Sequence, residues 1–330
     1  MTTLYDARGN IYAVVSPHHL RELGIALPET AAQAALTRRQ WAPPAIAACC
    51  DWPEGSRPQG AKAHRSDGLL VGLFQDKAPF DLLIVNTDGS LAERSGNGLT
   101  IFAQALTDQG LTDPNEAFAL RVHHDKTDSP SPVATYLEPA VLNGTLGFWL
   151  DLGTPTFGPG AVGAQAGRVT ETRPTSQVQR LAQLDPRWDR SVFVRIGNPH
   201  CVSLLADPNE LPDMNQLRAK PLHDSLTRIA FASDSGLGEG DPCPAGVNLQ
   251  WAALEREGLI AARVFERGEG PTESSGTSAS AVACAAWLTG LVKAGTVQVR
   301  MPGGTAPVRL QESEGKLERV SLFGTAQRMA

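Results

Sequence analysis

The sequence predicts an α+β protein built as two similar lobes, each a mixed β-sheet wrapped around one central helix. Two observations carry this prediction. Short runs of β-branched and apolar residues recur along the chain and are bounded by Gly, Pro, Asp or Asn, which is typical of strands. Clear helical patterns are few, and the two best each follow a copy of one phrase, Glu-x-Ser-Gly, at Glu93–Gly96 and Glu273–Gly276.

The predicted elements alternate along the chain. The strands are Ile11–Val15, Gly68–Leu73, Asp81–Val85, Ala119–Val122, Leu146–Leu152, Ser191–Ile196, Cys201–Leu205, Val247–Trp251, Ala262–Glu266, Thr296–Arg300 and Val320–Leu322. The helices are Gly98–Gln109 and Ser278–Lys293, where apolar residues recur with a helical period. Residues 49–66, 124–134 and 234–245 are rich in Pro, Gly and charge and are predicted to be loops.

The length favours two lobes, since 330 residues exceed one typical domain. A division near residue 150 places one Glu-x-Ser-Gly phrase in each half. The predicted lobes are therefore residues 1–150 and residues 151–330, a division that allows the last strand to return to the first lobe.

Composition excludes several classes of function. The net charge is −6 and no basic run is present, so nucleic acid is not an expected partner. The chain has neither a leader pattern nor an apolar stretch of about 20 residues, which predicts a cytoplasmic protein without a membrane partner. The five scattered cysteines indicate free thiols, no metal site is predicted, and His123-His124-Asp125 is assigned to a surface loop.

The two repeated phrases predict a pair of anion sites. A helix N-terminus offers free backbone N–H groups and roughly half a positive charge, so it holds a carboxylate well. Two such termini serving one carbon would place Ser95 and Ser275 on its opposite faces, the geometry for removing a proton from one face and returning one to the other. The alternative is structural, because serine is also a preferred N-cap.

Two further segments supply polar groups for this chemistry. Asn198-Pro199-His200 follows a strand and brings an imidazole, and Glu266-Arg267 ends another strand just before Ser275. A carboxylate and a histidine can act as partners of proton-transfer groups, and Arg267 can hold a second carboxylate with two hydrogen bonds. The structural alternative is a surface ion pair and a turn histidine.

The same segments resemble a known family. NTDGSLAERSGNGLTIFA, IGNPHCV, GVNLQ and ERGEGPTESSGTSASA occur in the order and spacing of diaminopimelate epimerase, and DARGNIYAVV and SDGLLV are similar to that family as well. The match spans nearly the whole chain. It implies two α/β lobes with the active site in the cleft between them, and a cofactor-independent epimerase of lysine biosynthesis. Such an enzyme needs neither pyridoxal phosphate nor a metal and converts LL- to meso-diaminopimelate with two cysteines.

The resemblance assigns roles by position. The residues that match those holding the distal end of the substrate are Asn10, Asn86, Asn198, Asn248 and Arg267. The residues that match the backbone cradle of the reacting carboxylate are Gly96, Asn97, Gly276 and Thr277. His200 and Glu266 match the groups that assist the two thiols, and Ser95 and Ser275 stand where the family has its catalytic cysteines. The expected partner is a small amino-acid or carboxylic-acid substrate, and a homodimer is compatible with the sequence.

The two serines leave three interpretations open. The chain is either a divergent isomerase, lyase or double-bond isomerase of the same superfamily, or a non-catalytic amino-acid-binding relative, or an engineered double Cys→Ser variant. Serine lacks the low pKa of a helix-terminal thiol, so turnover requires a neighbouring base and is expected to be weak. Arg94, Leu99, Thr100 and Ile101 also differ from the family's usual residues, which favours a natural variant.

Overall fold

A computed structural model describes residues 2–127 and 129–329 of the chain. They separate into two compact units, Met1–Leu150 with Gly324–Ala330, and Asp151–Phe323. Within the described ranges, no helix combines the length and the apolar character that a membrane crossing requires.

The described residues of the first unit form four α-helices and, before the chain enters the second unit, eight strands. The helices are α1 (Pro17–Glu22), α2 (Ala31–Leu36), α3 (Arg38–Cys49) and α4 (Gly96–Asp108). The strands are β1 (Thr3–Ala7), β2 (Asn10–Val15), β3 (Gly68–Gly72), β4 (Phe80–Asn86), β5 (Leu91–Ala92), β6 (Phe118–Val122), β7 (Val133–Leu142) and β8 (Thr145–Gly153).

The sheet of the first unit is mixed and covered on both faces. β2 runs parallel to β3 and β4 runs parallel to β6, while β1–β2, β3–β4, β6–β7 and β7–β8 are antiparallel. On one face Leu70 and Ile84 pack with the central helix α4. On the other face Leu69 and Leu83 pack with α1–α3 around Trp41. Burial on both faces explains why β3 and β4 are apolar almost throughout.

The second unit contains four helices and eleven strands. The helices are α5 (Gln179–Leu184), α6 (Met214–Arg218), α7 (Leu222–Ala230) and α8 (Gly276–Leu288). The strands are β9 (Thr156–Phe157), β10 (Val169–Thr172), β11 (Thr175–Val178), β12 (Ser191–Ile196), β13 (Asn198–Leu204), β14 (Asn248–Arg256), β15 (Leu259–Glu266), β16 (Gly270–Thr272), β17 (Gly295–Met301), β18 (Gly304–Ser313) and β19 (Lys316–Gly324).

The second unit repeats the topology of the first. β13 is parallel to β14 and β15 is parallel to β17, with antiparallel pairs β12–β13, β14–β15, β17–β18 and β18–β19. The central helix α8 follows the short strand β16 just as α4 follows β5, and both helices are 13 residues long. α8 is nearly all small residues, which lets strand residues such as Val202 and Val264 pack closely around it.

The end of the chain joins the first unit. A final strand, β20 (Gln327–Arg328), pairs antiparallel with β1, with Tyr5 opposite Arg328. Ala326 packs against the core around α4. A Cβ added at Gly324 would clash with the side chain of Thr100, so this glycine lets the returning chain approach α4.

The α+β class with a central helix in each unit is confirmed, but three expectations were wrong. Helices α1–α3 were not predicted, because α3 carries Pro43 and Pro44 and buries alanines that give no strong period. The predicted helix Ser278–Lys293 ends at Leu288, and Gly290 follows with a positive φ of 76°. The histidines assigned to a surface loop, His123 and His124, are buried, and His123 Nε2 lies 3.0 Å from Asp81 Oδ1.

Candidate active site

Ser95 and Ser275 cap the two central helices. Both have extended backbone conformations, and each side-chain oxygen accepts a hydrogen bond from the backbone N–H three residues on. The distances are 3.1 Å from Gly98 N to Ser95 Oγ and 3.4 Å from Ser278 N to Ser275 Oγ. Each hydroxyl therefore accepts one bond and keeps its own proton for donation. Both serines are partly exposed, so a ligand can reach them.

Tyr12 lies beside Ser95 in the first unit. Its hydroxyl is 3.5 Å from Ser95 Oγ, and its ring is buried in the core around α4. Burial raises the pKa of Tyr12 above its usual range, against the opposing effect of the hydrogen bond with Ser95. The sequence offered a signal that was missed, because Asn10-x-Tyr12 repeats the spacing of Asn198-x-His200.

Of the three asparagines of the first unit that were expected to bind substrate, two lie together. Asn97 Nδ2 is 3.5 Å from Asn10 Oδ1, and Asn10 Nδ2 donates to Asp67 Oδ2 at 3.0 Å. Asn86, at the end of β4, donates instead to Ser90 Oγ at 2.9 Å within its own turn. Asn10 and Asn97 thus line the start of α4, while Asn86 shapes the turn that leads to it.

Glu266 is the polar partner of Ser275. It ends β15, and the hairpin to β16 returns the chain to Ser275 at the start of α8. Burial raises the pKa of Glu266, while the nearby hydroxyl groups of Ser275 and Thr272 oppose that rise. A carboxylate with a raised pKa is a stronger base than an exposed one, and here it lies close enough to the capping hydroxyl to be affected by it.

His200 is fully buried on the face of the second sheet that packs against α8. Its Nδ1 lies 3.0 Å from the side-chain amide of Gln250, and its Nε2 has no hydrogen-bond partner among the described residues. Burial, together with the positive charges of Arg267 and Arg195, lowers the pKa of His200 to about 3. The imidazole is therefore neutral at neutral pH.

The other residues of the second unit that were expected to bind substrate have distinct environments. Asn248 is buried, and its Oδ1 accepts from Arg267 N at 2.9 Å. The Arg267 guanidinium is exposed and donates to Ala245 O at 3.0 Å, and Asn198 is exposed at the start of β13. These contacts leave Arg267 in a position to meet a carboxylate from solvent.

The first residues of the two helices are held by matching contacts. Thr100 Oγ1 donates to Gly96 O at 2.8 Å, and Ser280 Oγ donates to Gly276 O at 2.9 Å. A Cβ at Gly276 would lie 2.5 Å from Leu322 Cδ2, so a larger residue here would require the end of the Leu322 side chain to move. Thr277 lies half-buried in the first turn of α8.

None of the five cysteines serves either helix N-terminus. All are free thiols and all are buried. Cys201 lies on the opposite face of β13 from His200, in the core around Trp251, and burial raises its pKa to about 12. The groups available for proton transfer at these termini are therefore hydroxyl, carboxyl and imidazole.

Comparison with known proteins agrees with this geometry. The family model described as "Diaminopimelate epimerase" matches residues 192–329. "Diaminopimelate epimerase 2" of Nostoc sp. is 31% identical over 75% of this chain and 75% of its own length. Diaminopimelate epimerase of Mycolicibacterium gilvum is 30% identical over 91% of this chain and 90% of its own length.

A solved structure extends the comparison to the fold. The phenazine biosynthesis protein of the PhzF family from Bacillus anthracis superposes with a TM-score of 0.59 at 14% identity, covering 100% of this chain and 96% of its own. That likeness supports the α+β architecture. The identity to two epimerases over three quarters or more of their length shows that the chain belongs to the diaminopimelate epimerase family and is an isomerase.

Proposed function

We propose that the protein is a cofactor-independent epimerase that inverts the α-carbon of an amino acid by two-base proton transfer, with LL-diaminopimelate as the first substrate to test. Ser95 and Ser275 are the acid–base pair. The observation that carries the proposal is that a serine hydroxyl caps the central helix of each unit and meets a second ionisable side chain, Tyr12 or Glu266.

The helix N-termini suit the carboxylate of an amino acid. Each serine side chain takes the third backbone N–H of its helix, which leaves the first two N–H groups for a ligand. Those groups belong to Gly96 and Asn97 in α4 and to Gly276 and Thr277 in α8. An anion there also gains from the helix dipole, by about 0.3–1 kcal/mol at each terminus.

Serine requires help that a thiol does not. The helix terminus contributes at most about 2 kcal/mol, which corresponds to roughly 1.5 pKa units and is too little to ionise a hydroxyl at neutral pH. Proton removal by serine must therefore be concerted with a base. Glu266 supplies such a base at Ser275, and His200 supplies a neutral imidazole in the same unit.

A second candidate is one-sided proton transfer, as in double-bond isomerisation or elimination on a related acid. The specific observation in its favour is the burial of every thiol, because no cysteine can exchange protons at either terminus. A single hydroxyl–carboxylate pair such as Ser275 and Glu266 is sufficient for chemistry of this type.

Hydrogen exchange at the α-carbon separates these functions. LL-diaminopimelate and a panel of amino acids are incubated with the protein in D₂O, and deuterium uptake is followed by mass spectrometry and epimer formation by chiral chromatography. The epimerase proposal expects uptake together with the inverted product, and loss of both in Ser95→Ala/Ser275→Ala. Calorimetric binding without uptake for any candidate would leave a binding protein, and an unsaturated or keto product would establish the lyase.

A further inference from the structure

Gln250, the last residue of the GVNLQ motif, lies at the centre of a buried polar cluster, a role that the sequence did not indicate. It is in β14, which runs parallel to β13, and its side chain is fully buried. Its amide lies 3.0 Å from His200 Nδ1 and 3.0 Å from Ser278 Oγ. The backbone carbonyl oxygens of Asn248 and Cys201 lie 3.2 and 3.3 Å from the other end of the amide.

One orientation of this amide satisfies all four neighbours. Carbonyl oxygens only accept hydrogen bonds, so the NH₂ group must face Asn248 O and Cys201 O. The amide oxygen then faces His200 Nδ1 and Ser278 Oγ and accepts from both. The reverse orientation would set the oxygen against two carbonyl oxygens, and a buried mismatch of this kind costs about 1–3 kcal/mol.

We infer that Gln250 is a positioning residue that holds His200 as the Nδ1-protonated tautomer and so presents Nε2 as a proton-accepting nitrogen. The amide oxygen of Gln250 accepts the Nδ1 proton, and a neutral imidazole then carries no proton on Nε2. Nε2 is buried and has no partner among the described residues. A bare lone pair there costs less than a buried N–H donor left without an acceptor.

The same cluster connects His200 to the helix cap. Ser278 donates its backbone N–H to Ser275 Oγ at 3.4 Å, and its hydroxyl donates to the Gln250 amide oxygen. The charged groups that act on the imidazole are the guanidinium groups of Arg267 and Arg195, and both disfavour its protonation. Gln250 therefore fixes the orientation of the imidazole, while burial and, to a smaller extent, the two arginines keep it uncharged.

Long-range ¹H–¹⁵N NMR of the full chain labelled at histidine reads this tautomer directly. The His200 signals are identified by their loss in His200→Gln. We expect a protonated, pyrrole-type Nδ1 and an unprotonated, pyridine-type Nε2 at neutral pH. A pyridine-type Nδ1 in the wild-type protein would overturn the inference. This readout needs no substrate, so it stands or fails separately from the epimerase function on which the catalytic role of His200 rests.

Substitutions then test the positioning role. Gln250→Met keeps the side-chain length and removes the acceptor, so the His200 tautomers should become mixed and α-proton exchange should fall by at least about tenfold. Gln250→Glu keeps an acceptor, so it should retain the Nδ1-protonated form and shift the His200 titration to higher pH. Gln311→Met, at an exposed strand position of the same unit, is the matched control. A folded Gln250→Met protein with an unchanged tautomer contradicts the inference.

Discussion

Tyr12 and His200 occupy equivalent positions in the two copies of one topology. Each is the third residue of a strand that begins with asparagine, Asn10 in β2 and Asn198 in β13. Each strand pairs in parallel with the next long strand of its sheet, and each side chain is buried. The duplicated backbone thus carries a phenol in one unit and an imidazole in the other, so the two units differ in the polar group at this position of the strand.

Tyr12→Phe tests the group beside Ser95. The change removes the hydroxyl that lies 3.5 Å from Ser95 Oγ and leaves the buried ring. We expect α-proton exchange to fall about two- to tenfold, since one neutral hydrogen bond contributes about 0.5–1.5 kcal/mol. Tyr136→Phe, at an exposed position of the same unit, is the control and should behave as wild type. Equal rates in both variants would remove Tyr12 from the mechanism.

Glu266→Gln tests the base at Ser275. Only the ionised carboxylate accepts a proton, and the pKa of Glu266 is raised. As pH decreases, wild-type activity should therefore begin to fall at a higher pH than it would with a glutamate of ordinary pKa. The variant should lose about 10²- to 10⁴-fold in exchange rate. Glu257→Gln, in the exposed turn at the other end of β15, provides the matched control.

The same substitution has a stability effect of known sign. The pKa of the Glu266 carboxyl is higher in the folded protein than in the unfolded chain. Its contribution to stability is therefore fully present below the unfolded-state pKa and is lost as pH rises through the folded-state pKa. Glu266→Gln should therefore be more stable than wild type at neutral pH and lose that advantage at acidic pH. Urea unfolding at both pH values measures it, and a neutral-pH destabilisation would contradict the burial of the charge.

The lowered pKa of His200 implies a second effect of pH on folding stability, of opposite sign to that of Glu266. Its folded pKa is about 3 and its ordinary pKa about 6.5, so the unfolded chain binds the proton first, and stability is lost as pH falls from about 6.5 towards 3. Between about pH 7 and pH 5 this group alone should cost about 2 kcal/mol. Urea unfolding of His200→Gln should lack that component, whereas His18→Gln, at an exposed histidine, should keep it.

Replacing both serines tests whether the rest of the site is intact. A helix N-terminus lowers the pKa of a cysteine, so Ser95→Cys/Ser275→Cys should carry thiolate at neutral pH where wild type carries only hydroxyls. We expect epimerisation of LL-diaminopimelate to rise by more than about tenfold. Each single substitution serves as the control, because two-base inversion needs both groups. A folded, inert double variant would show that the surrounding pocket serves another substrate.

The fold class was predictable because repeated signals agree. Three signals each indicated one sheet around one helix: the strand runs, the two predicted helices that follow a glycine, and the duplicated Glu-x-Ser-Gly phrase. The helices α4 and α8 begin at the glycine of that phrase. The helices α1–α3 were missed because they cover one face of the sheet mainly with alanines and one tryptophan. Such residues give little difference in hydrophobicity between the buried and exposed sides of a helix. Burial of His123 depended on its distant partner Asp81, which local sequence does not reveal.

Within the candidate site, the helix-cap positions were predictable from local sequence, whereas contacts that depend on packing were not. Ser95 and Ser275 were identified because a cap position follows from the residues around it. Tyr12 and Gln250 were not, since each acquires its role from a neighbouring strand or helix across the sheet. The family resemblance identified His200 and Glu266. The lowered pKa of His200 and the raised pKa of Glu266 arise from burial in the folded unit, which the sequence does not reveal.

The strand formed by Gln327 and Arg328 has a consequence for biosynthesis. It pairs with β1 beside Tyr5, so the first unit contains residues that are synthesised after the whole of the second unit. Residues 151–323 form a contiguous unit and can fold while synthesis continues. Synthesis of the first unit therefore begins before that of the second unit and is completed after it, and ribosome-stalled chains ending before residue 324 should expose β1 to protease.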